Sequence, residues 1–326
     1  MQIIYSKTDN AYFNLAGEEY LFKTFSDDIF YLYINSPSII VGRKQNTLSE
    51  INYEYVSAHN IPVVRRMSGG GAVFHDYGNL NFCFIIRGVS RFEEDFSRFT
   101  MPIIEVLGGL GVEAILEGRN DLTIGGKKFS GNAKYLSERT LLQHGTLLFS
   151  SSLVDISRAL QPDGRKFEDK AVKSIQSRVT NISEHLTIPI TMEDFTQKII
   201  NHIIKKYTDA TFYDLSGFDL GKIKQLMEDK YLTWSWNYGK SPEYNYTKTV
   251  RTKGGLLQVS MQVNKGIIEG LGFYGDFFSR GDVEEYERLF INCPHKIEDI
   301  KKILVDFPPE DVFINIREED ILEVII

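Results

Sequence analysis

Arg65-Arg66-Met67-Ser68-Gly69-Gly70-Gly71-Ala72-Val73-Phe74-His75-Asp76 sets two guanidinium groups beside three consecutive glycines. Glycine lets a ligand approach the backbone, and the N–H groups of such a turn form a nest for anions. A guanidinium grips a phosphate or carboxylate through two parallel hydrogen bonds. A long hairpin loop is the plainer reading of the same residues. A second stretch, Gly118-Arg119-Asn120-Asp121-Leu122 followed by Gly125-Gly126-Lys127-Lys128-Phe129-Ser130-Gly131-Asn132-Ala133, again puts glycines beside cations. It is not a Walker A loop: Asp121 stands where that motif has its leading glycine, and Lys128 where it has Ser or Thr. A solvated hairpin with lysines on its exposed face is the alternative.

Other residues fit the same chemistry less well. Gly109-Leu110-Gly111 fits a loose dinucleotide pattern but follows a helix instead of a strand, so it reads as a helix C-cap. His144-Gly145-Thr146 begins a buried strand, where a structural histidine is the ordinary outcome. The six histidines form no HExxH pair, which excludes the common zinc pattern. Magnesium would arrive with a nucleotide, through phosphates and one or two carboxylates. Asp121 and Asp76 are the carboxylates nearest the glycine turns. Cys83 lies between Phe82 and Phe84 and reads as core, and Cys293 precedes Pro294. Neither has the electropositive setting of a nucleophilic thiol.

These residues need elements to hold them. Asn14–Phe25 has helical spacing, Phe30–Asn35 reads as a strand, and Ile61–Arg66 and Asn79–Ile86 are strands flanking the glycine turn. A helix is expected over Phe92–Leu107. Short strands follow at Val112–Leu116, Leu122–Ile124, Lys127–Phe129 and Gly145–Phe149, and Thr191 N-caps a helix through Tyr207. Irregular alternation with clustered strands indicates an α+β, mixed-sheet α/β fold. Thr233–Tyr246, which carries both tryptophans, is the expected junction. Residues 1–246 then form one unit and 247–326 a small β-then-α unit, with strands over Tyr246–Gly254, Leu256–Asn264 and Ile267–Tyr274 and helices over Val283–Phe290 and Ile297–Val305.

The chain has 326 residues, 42% of them hydrophobic, a net charge of −7 and two cysteines. This is room for about two domains and excludes a disordered chain or a disulfide framework. The acidity is local: 281–326 holds 13 acidic and 5 basic residues, net −8, leaving the first 280 at about +1. Arg119–Arg178 holds 11 basic and 6 acidic residues, with Lys166, Lys170, Lys173 and Arg178 clustered as a solvated face or a docking surface for an acidic protein. The balance argues against a general nucleic-acid binder. No apolar run suits a membrane span and MQIIYSKTDN does not read as a signal peptide, so a soluble cytoplasmic protein is expected.

Taken together, RRMSGGGAVFHDYGNLNF (65–82), GRNDL and KKFSGNA (118–133), HGTLLF (144–149) and VKSIQSRVTNI (172–182) resemble the lipoate–protein ligase A family over essentially the whole chain. The resemblance implies a biotin/lipoate ligase-type catalytic domain with a small C-terminal accessory domain. It implies two steps: lipoate and ATP give lipoyl-AMP and pyrophosphate, then an acceptor lysine takes the acyl group and releases AMP. By the same resemblance Lys128 bridges the carboxylate and the α-phosphate, with Lys127 beside it as a phosphate contact or a bystander. Arg66 meets ATP phosphate, Gly71, Ala72, Val73 and Phe74 run along the adenine, and Asn79 and Asp121 line the nucleotide side, Asp121 as the candidate carboxylate for Mg. Ser68, Gly69, Gly70, His75, Ala133 and His144 flank the lipoate. The implied partners are lipoate or octanoate and an acceptor, a 2-oxoacid dehydrogenase lipoyl domain or the glycine-cleavage H protein, with no nucleic acid or membrane. The rivals are an octanoyl or lipoyl transferase of the same fold, whose relevant subfamilies use a catalytic cysteine, and a non-catalytic lipoate-binding protein. A biotin ligase lacks support because its Arg-rich loop is missing, and a repressor because no helix-turn-helix opens the chain.

Overall fold

The computed structural model describes residues 1–45, 47–89, 95–160, 178–238, 246–264 and 266–326. Lys166, Lys170 and Lys173, the first residues of the helix expected from Phe92, and 239–245 of the expected junction lie outside them.

The main layer is an eight-stranded mixed sheet. Its strands are β1 (Gln2–Tyr5), β2 (Ile29–Ile34), β6 (Asn79–Ile86), β7 (Ile115–Glu117), β8 (Asp121–Ile124), β9 (Lys127–Ser137), β10 (Thr140–Leu148) and β11 (Thr211–Phe212), in the order β11-β1-β2-β6-β10-β9-β8-β7. β1 pairs in parallel with β11 and β2, and the remaining pairs are antiparallel. The two-residue period of a strand separates its faces. In β2 and β6, Phe30, Leu32, Leu80, Phe82, Phe84 and Ile86 share one core with the helices Ser97–Gly109 and Met192–Lys206. Tyr31, Tyr33, Cys83 and Ile85 turn to the other face, under the helix Ala11–Thr24. The second face also carries Asn81 and His144, so it is the one on which polar groups collect.

Over that face sits a three-stranded sheet, β3 (Ser38–Val41) between β4 (Val63–Arg65) and β5 (Val73–His75). β4 runs parallel to β3 and β5 antiparallel to it. The glycine run is therefore a crossover spanning a central strand, not a hairpin between partners. A third sheet, β12 (Tyr246–Thr252), β13 (Gly255–Asn264) and β14 (Ile267–Gly275), is packed by the helices Val283–Arg288, Ile297–Asp306 and Glu318–Ile325 around a core of its own.

The observed mixed-sheet α/β architecture matches the expectation, with local differences. β9 and β10 are much longer than the short strands expected. They meet at Glu138-Arg139, where both residues take positive φ (47° and 63°) without glycine or asparagine to announce a turn. The helix ending in Gly108-Gly109 keeps both glycines inside its last turn and is capped at Leu110, with Gly111 at φ 80°. Thr191 and Asp194 form the capping box expected.

Candidate active site

The crossover and its arginines are built inward. Arg66 is 5% exposed. Its Nε–H donates to Ser68 Oγ (3.0 Å), Nη1 to the Ile40 carbonyl (3.1 Å), and Nη2 to the carbonyls of Gly69 (2.6 Å) and Gly71 (2.8 Å). Burial lowers its pKa to about 10. The guanidinium expected to meet phosphate thus first holds the glycine crossover in shape. Arg65 turns away and donates to the carbonyls of Gly42, Arg43, Gln45, Trp236 and Asn237, lashing the 42–45 loop to the tryptophan segment. At Gly69 a Cβ would lie 2.3 Å from the Phe277 carbonyl oxygen, so only glycine lets the C-terminal unit approach. Gly70 N–H donates to that same oxygen (3.3 Å). Lys44 with Glu287 (2.9 Å), and Arg119 with the carbonyls of Gly254 and Asp276, extend this contact.

Lys128 stands on the opposite wall. Gly125 and Gly126, at φ 57° and 74°, make the tight turn between β8 and β9. Lys127 is exposed beside the turn, whereas the Lys128 side chain, 40% exposed, pairs with Asp121 Oδ1 at 2.8 Å. A hairpin with lysines at its tip is therefore present, but its second lysine turns back to Asp121 and lines a cavity.

Between these walls lies a cavity of about 110 Å³. Of the residues expected at a site, it brings together Arg66, Gly70, Gly71, Ala72, Val73, His75, Lys128, Ala133 and His144. Ser68, Gly69, Phe74, Asn79 and Asp121 stand off its wall. The Phe74 side chain faces the core behind β5. Asn79 is fully buried and donates to Asn81, and Asp76 caps the backbone at Gly78 and Ser152. Asp121 instead lines an adjoining outer cavity of about 430 Å³ with Glu117 and Arg178, and Lys128 lines both spaces.

Leu15, Tyr33 and Ile40 line the inner cavity outside every quoted motif, and Asn81, Asn120 and Thr146 line it from within motifs that assign them no role. Glu18 was read only as part of a helix. It is 1% exposed and accepts from Tyr33 Oη (2.9 Å) and His144 Nδ1 (2.9 Å), while His144 Nε2 is hydrogen-bonded to Ser68 Oγ (2.6 Å). The distances are those of a nucleophile–base–acid triad. Ser68 is nevertheless 0% exposed and absent from the cavity wall, so the array fixes His144 instead of presenting a nucleophile. An acid inside the otherwise apolar NLAGEEYLF run, and the Asn79/Asn81 alternation in β6, are signals that could have marked this face.

Cys83 is buried beside Glu18, and burial pushes its thiol well above the usual range, which removes it as a nucleophile. Among the described residues no group of three or more His, Cys, Asp or Glu side chains is placed to hold a metal, and no helix is long and apolar enough to cross a membrane.

Residues 10–204 match the family described as lipoyl protein ligase A/B catalytic domain, and residues 241–325 that described as bacterial lipoate protein ligase C-terminus. The chain is 42% identical over 311 residues to lipoate–protein ligase 1 of Staphylococcus aureus, covering 95% of this chain and 94% of that one. It superposes on P. falciparum LipL1, solved in complex with lipoate, with a TM-score of 0.82 at 25% identity, over 99% of this chain and 97% of the other. A structure of a bipartite lipoate protein ligase and its E2 lipoyl domain from Thermoplasma acidophilum aligns with a TM-score of 0.66 at 27% identity, over 75% of this chain and 98% of the other.

Proposed function

The chain belongs to the lipoyl protein ligase A/B family, and on that premise we propose that it attaches lipoate to protein lysines at the expense of ATP. The lipoate carboxylate attacks the α-phosphorus of ATP and pyrophosphate leaves, giving lipoyl-AMP. The uncharged amine of an acceptor lysine then attacks the acyl carbon, the amide forms, and AMP leaves with the bond's electron pair. Both steps concentrate negative charge at one phosphate, so catalysis is positioning and electrostatic stabilisation.

The observation that carries this reading is the position of Lys128, the residue common to the inner cavity and the more open outer one. A cation there touches an acyl carboxylate on one side and a phosphate on the other. Arg66 supplies positive charge and the shape of the crossover, and Gly71, Ala72 and Val73 offer a backbone edge to the nucleotide. Phe74 and Asn79 support that edge from behind. Ser68 and Gly69 act through His144 and the loop, while Gly70, His75, Ala133 and His144 border the acyl chain. Asp121 and Glu117 face each other across the β7–β8 pair beside Lys128, a carboxylate set that fits Mg brought by ATP phosphates. Magnesium there would neutralise phosphate charge.

We assign the catalytic unit to 1–246 and the accessory unit to 247–326, supported by the separate core of the latter. Two unpaired cysteines suit a reducing cytoplasm. The acceptor is a lipoyl domain of a 2-oxoacid dehydrogenase or a glycine-cleavage H protein. The test is to offer each purified acceptor with ATP, Mg and lipoate and weigh the products. A lipoyl mass increment on one lysine of at least one acceptor, with pyrophosphate released, is expected. Pyrophosphate release without any acceptor gaining mass would contradict the transfer step.

A further inference from the structure

His75 is 3% exposed, faces the inner cavity, and its Nε2 has no partner among the described residues. Its other ring nitrogen ends a buried relay whose hydrogen positions follow from one backbone group. The Thr8 carbonyl can only accept, so Asn14 Nδ2 donates to it (3.0 Å). The same amide group then donates to Asn35 Oδ1 (2.8 Å), while Asn14 Oδ1 accepts from Ser6 Oγ (2.6 Å) and Tyr31 Oη (3.2 Å). With its oxygen committed to Asn14, Asn35 presents Nδ2 to His75 Nδ1 at 2.9 Å, and that nitrogen must accept. The ring proton therefore sits on Nε2, the unpartnered nitrogen on the ring edge away from Asn35, in a side chain that lines the cavity. Burial, with the nearby Arg66 and His144, holds the ring pKa down to about 3, so the group is a neutral donor. His144 is bound from both sides instead, with Nδ1 on the Glu18 carboxylate and Nε2 on Ser68 Oγ.

The place of this donor follows from the sheet. The cavity crosses four adjacent strands, with Lys128 and Gly131 on β9, Thr146 on β10, Asn81 on β6 and Tyr33 on β2. Three inter-strand steps span about 14 Å. Lys128 marks one end. His75, tied to Asn35 just past β2, marks the other with Leu15, Tyr33 and Ile40. An acyl acid whose carboxylate meets Lys128 puts its tail beside the His75 N–H. A hydrocarbon tail would leave that donor buried and unpaired, whereas a sulfur atom is a weak acceptor.

We propose that His75 is a specificity-determining residue: its Nε2–H donates to a ring sulfur at the tail of the acyl substrate, favouring a disulfide-bearing acid over the plain alkyl acid of equal chain length. The proposal rests on the ligase reading above.

Two measurements test it. In protein with 15N-labelled histidine, long-range 1H–15N spectra should show His75 with Nε2 protonated and Nδ1 bare from pH 5 to 8, and lipoate, but not octanoate, should shift the Nε2 resonance. Separately, kcat/KM for pyrophosphate release is taken with lipoate and with octanoate. The lipoate-to-octanoate ratio should fall about tenfold in His75→Leu and recover in His75→Gln, whose amide nitrogen restores a donor near Nε2. A proton on Nδ1, an equal shift with both acids, or an unchanged ratio in His75→Leu would overturn the proposal while leaving the ligase intact. No pyrophosphate from wild-type protein with either acid would overturn the ligase reading, and this one with it.

Discussion

Arg66 and Lys128 face one cavity from opposite walls, and both stand beside glycines, yet the glycines do opposite jobs. Around Arg66 they permit close approach: the guanidinium is buried, donates to two loop carbonyls, one β3 carbonyl and a hydroxyl, and leaves Gly69 pressed on the C-terminal unit. Around Lys128 they permit a backbone bend: Gly125 and Gly126 have positive φ and nothing near their missing Cβ atoms. The lysine they present is half-exposed with an ion pair to Asp121, of a kind that contributes little and is easily exchanged. One wall is a fixed part of the fold, the other an arm that can leave its partner for a substrate. Replacing residues of the first should read out mainly as stability, and of the second mainly as rate.

The largest stability effect belongs to Arg66→Leu, which strips donors from the buried carbonyl of Ile40 and the part-buried carbonyls of Gly69 and Gly71. A loss on the order of 3–5 kcal/mol is expected from urea denaturation. Asp121→Asn, on the other wall, should cost under about 0.5 kcal/mol. Equal losses would erase the contrast.

The next effect is a pH dependence on the fixed wall. His75, beside Arg66, titrates near 3 in the fold against 6.5 for the free side chain. Below 6.5 the unfolded chain binds the proton and the fold does not, so stability falls as pH drops from about 6.5 toward 3 and is flat above, as far as this group contributes. The slope approaches about 1.4 kcal/mol per pH unit. Denaturation midpoints at pH 7 and pH 5 should differ by less in His75→Leu than in the wild type.

Smaller effects separate the two kinds of glycine. Gly69→Ala drives a methyl into the Phe277 carbonyl and should cost about 1–3 kcal/mol. Gly125→Ala keeps open space and suffers from its φ alone, about 1 kcal/mol. Melting curves of the pair would show whether the crossover is the tighter structure.

How much of this was legible follows from where the information lies. The glycine run and its flanking arginines announce themselves because residue type and neighbours in sequence suffice, whereas Lys128 and His144 stand out only through motifs shared with the family, since alone one reads as a hairpin lysine and the other as a structural histidine. The strand periods of β2 and β6 were readable, and with them the fold class. Glu18 was not, because its partner His144 is 126 positions away and a buried acid inside a helix looks like an exposed one. The same holds for the Asn14–Asn35–His75 relay, which joins a helix, a strand end and β5. The β9–β10 hairpin stayed hidden because Glu138-Arg139 adopts glycine-like angles without glycine. Arg66 was recognised as a cation by the site, but only packing reveals that most of its donors are already spent on the loop.

The contrast between the walls is tested most directly by lipoate-dependent exchange of pyrophosphate into ATP in Lys128→Ala, run beside its thermal melt. The account predicts a fall in exchange of about a thousandfold, roughly 4 kcal/mol of transition-state stabilisation, with the melting temperature nearly unchanged. Exchange within a few fold of wild type in a folded Lys128→Ala protein would contradict it.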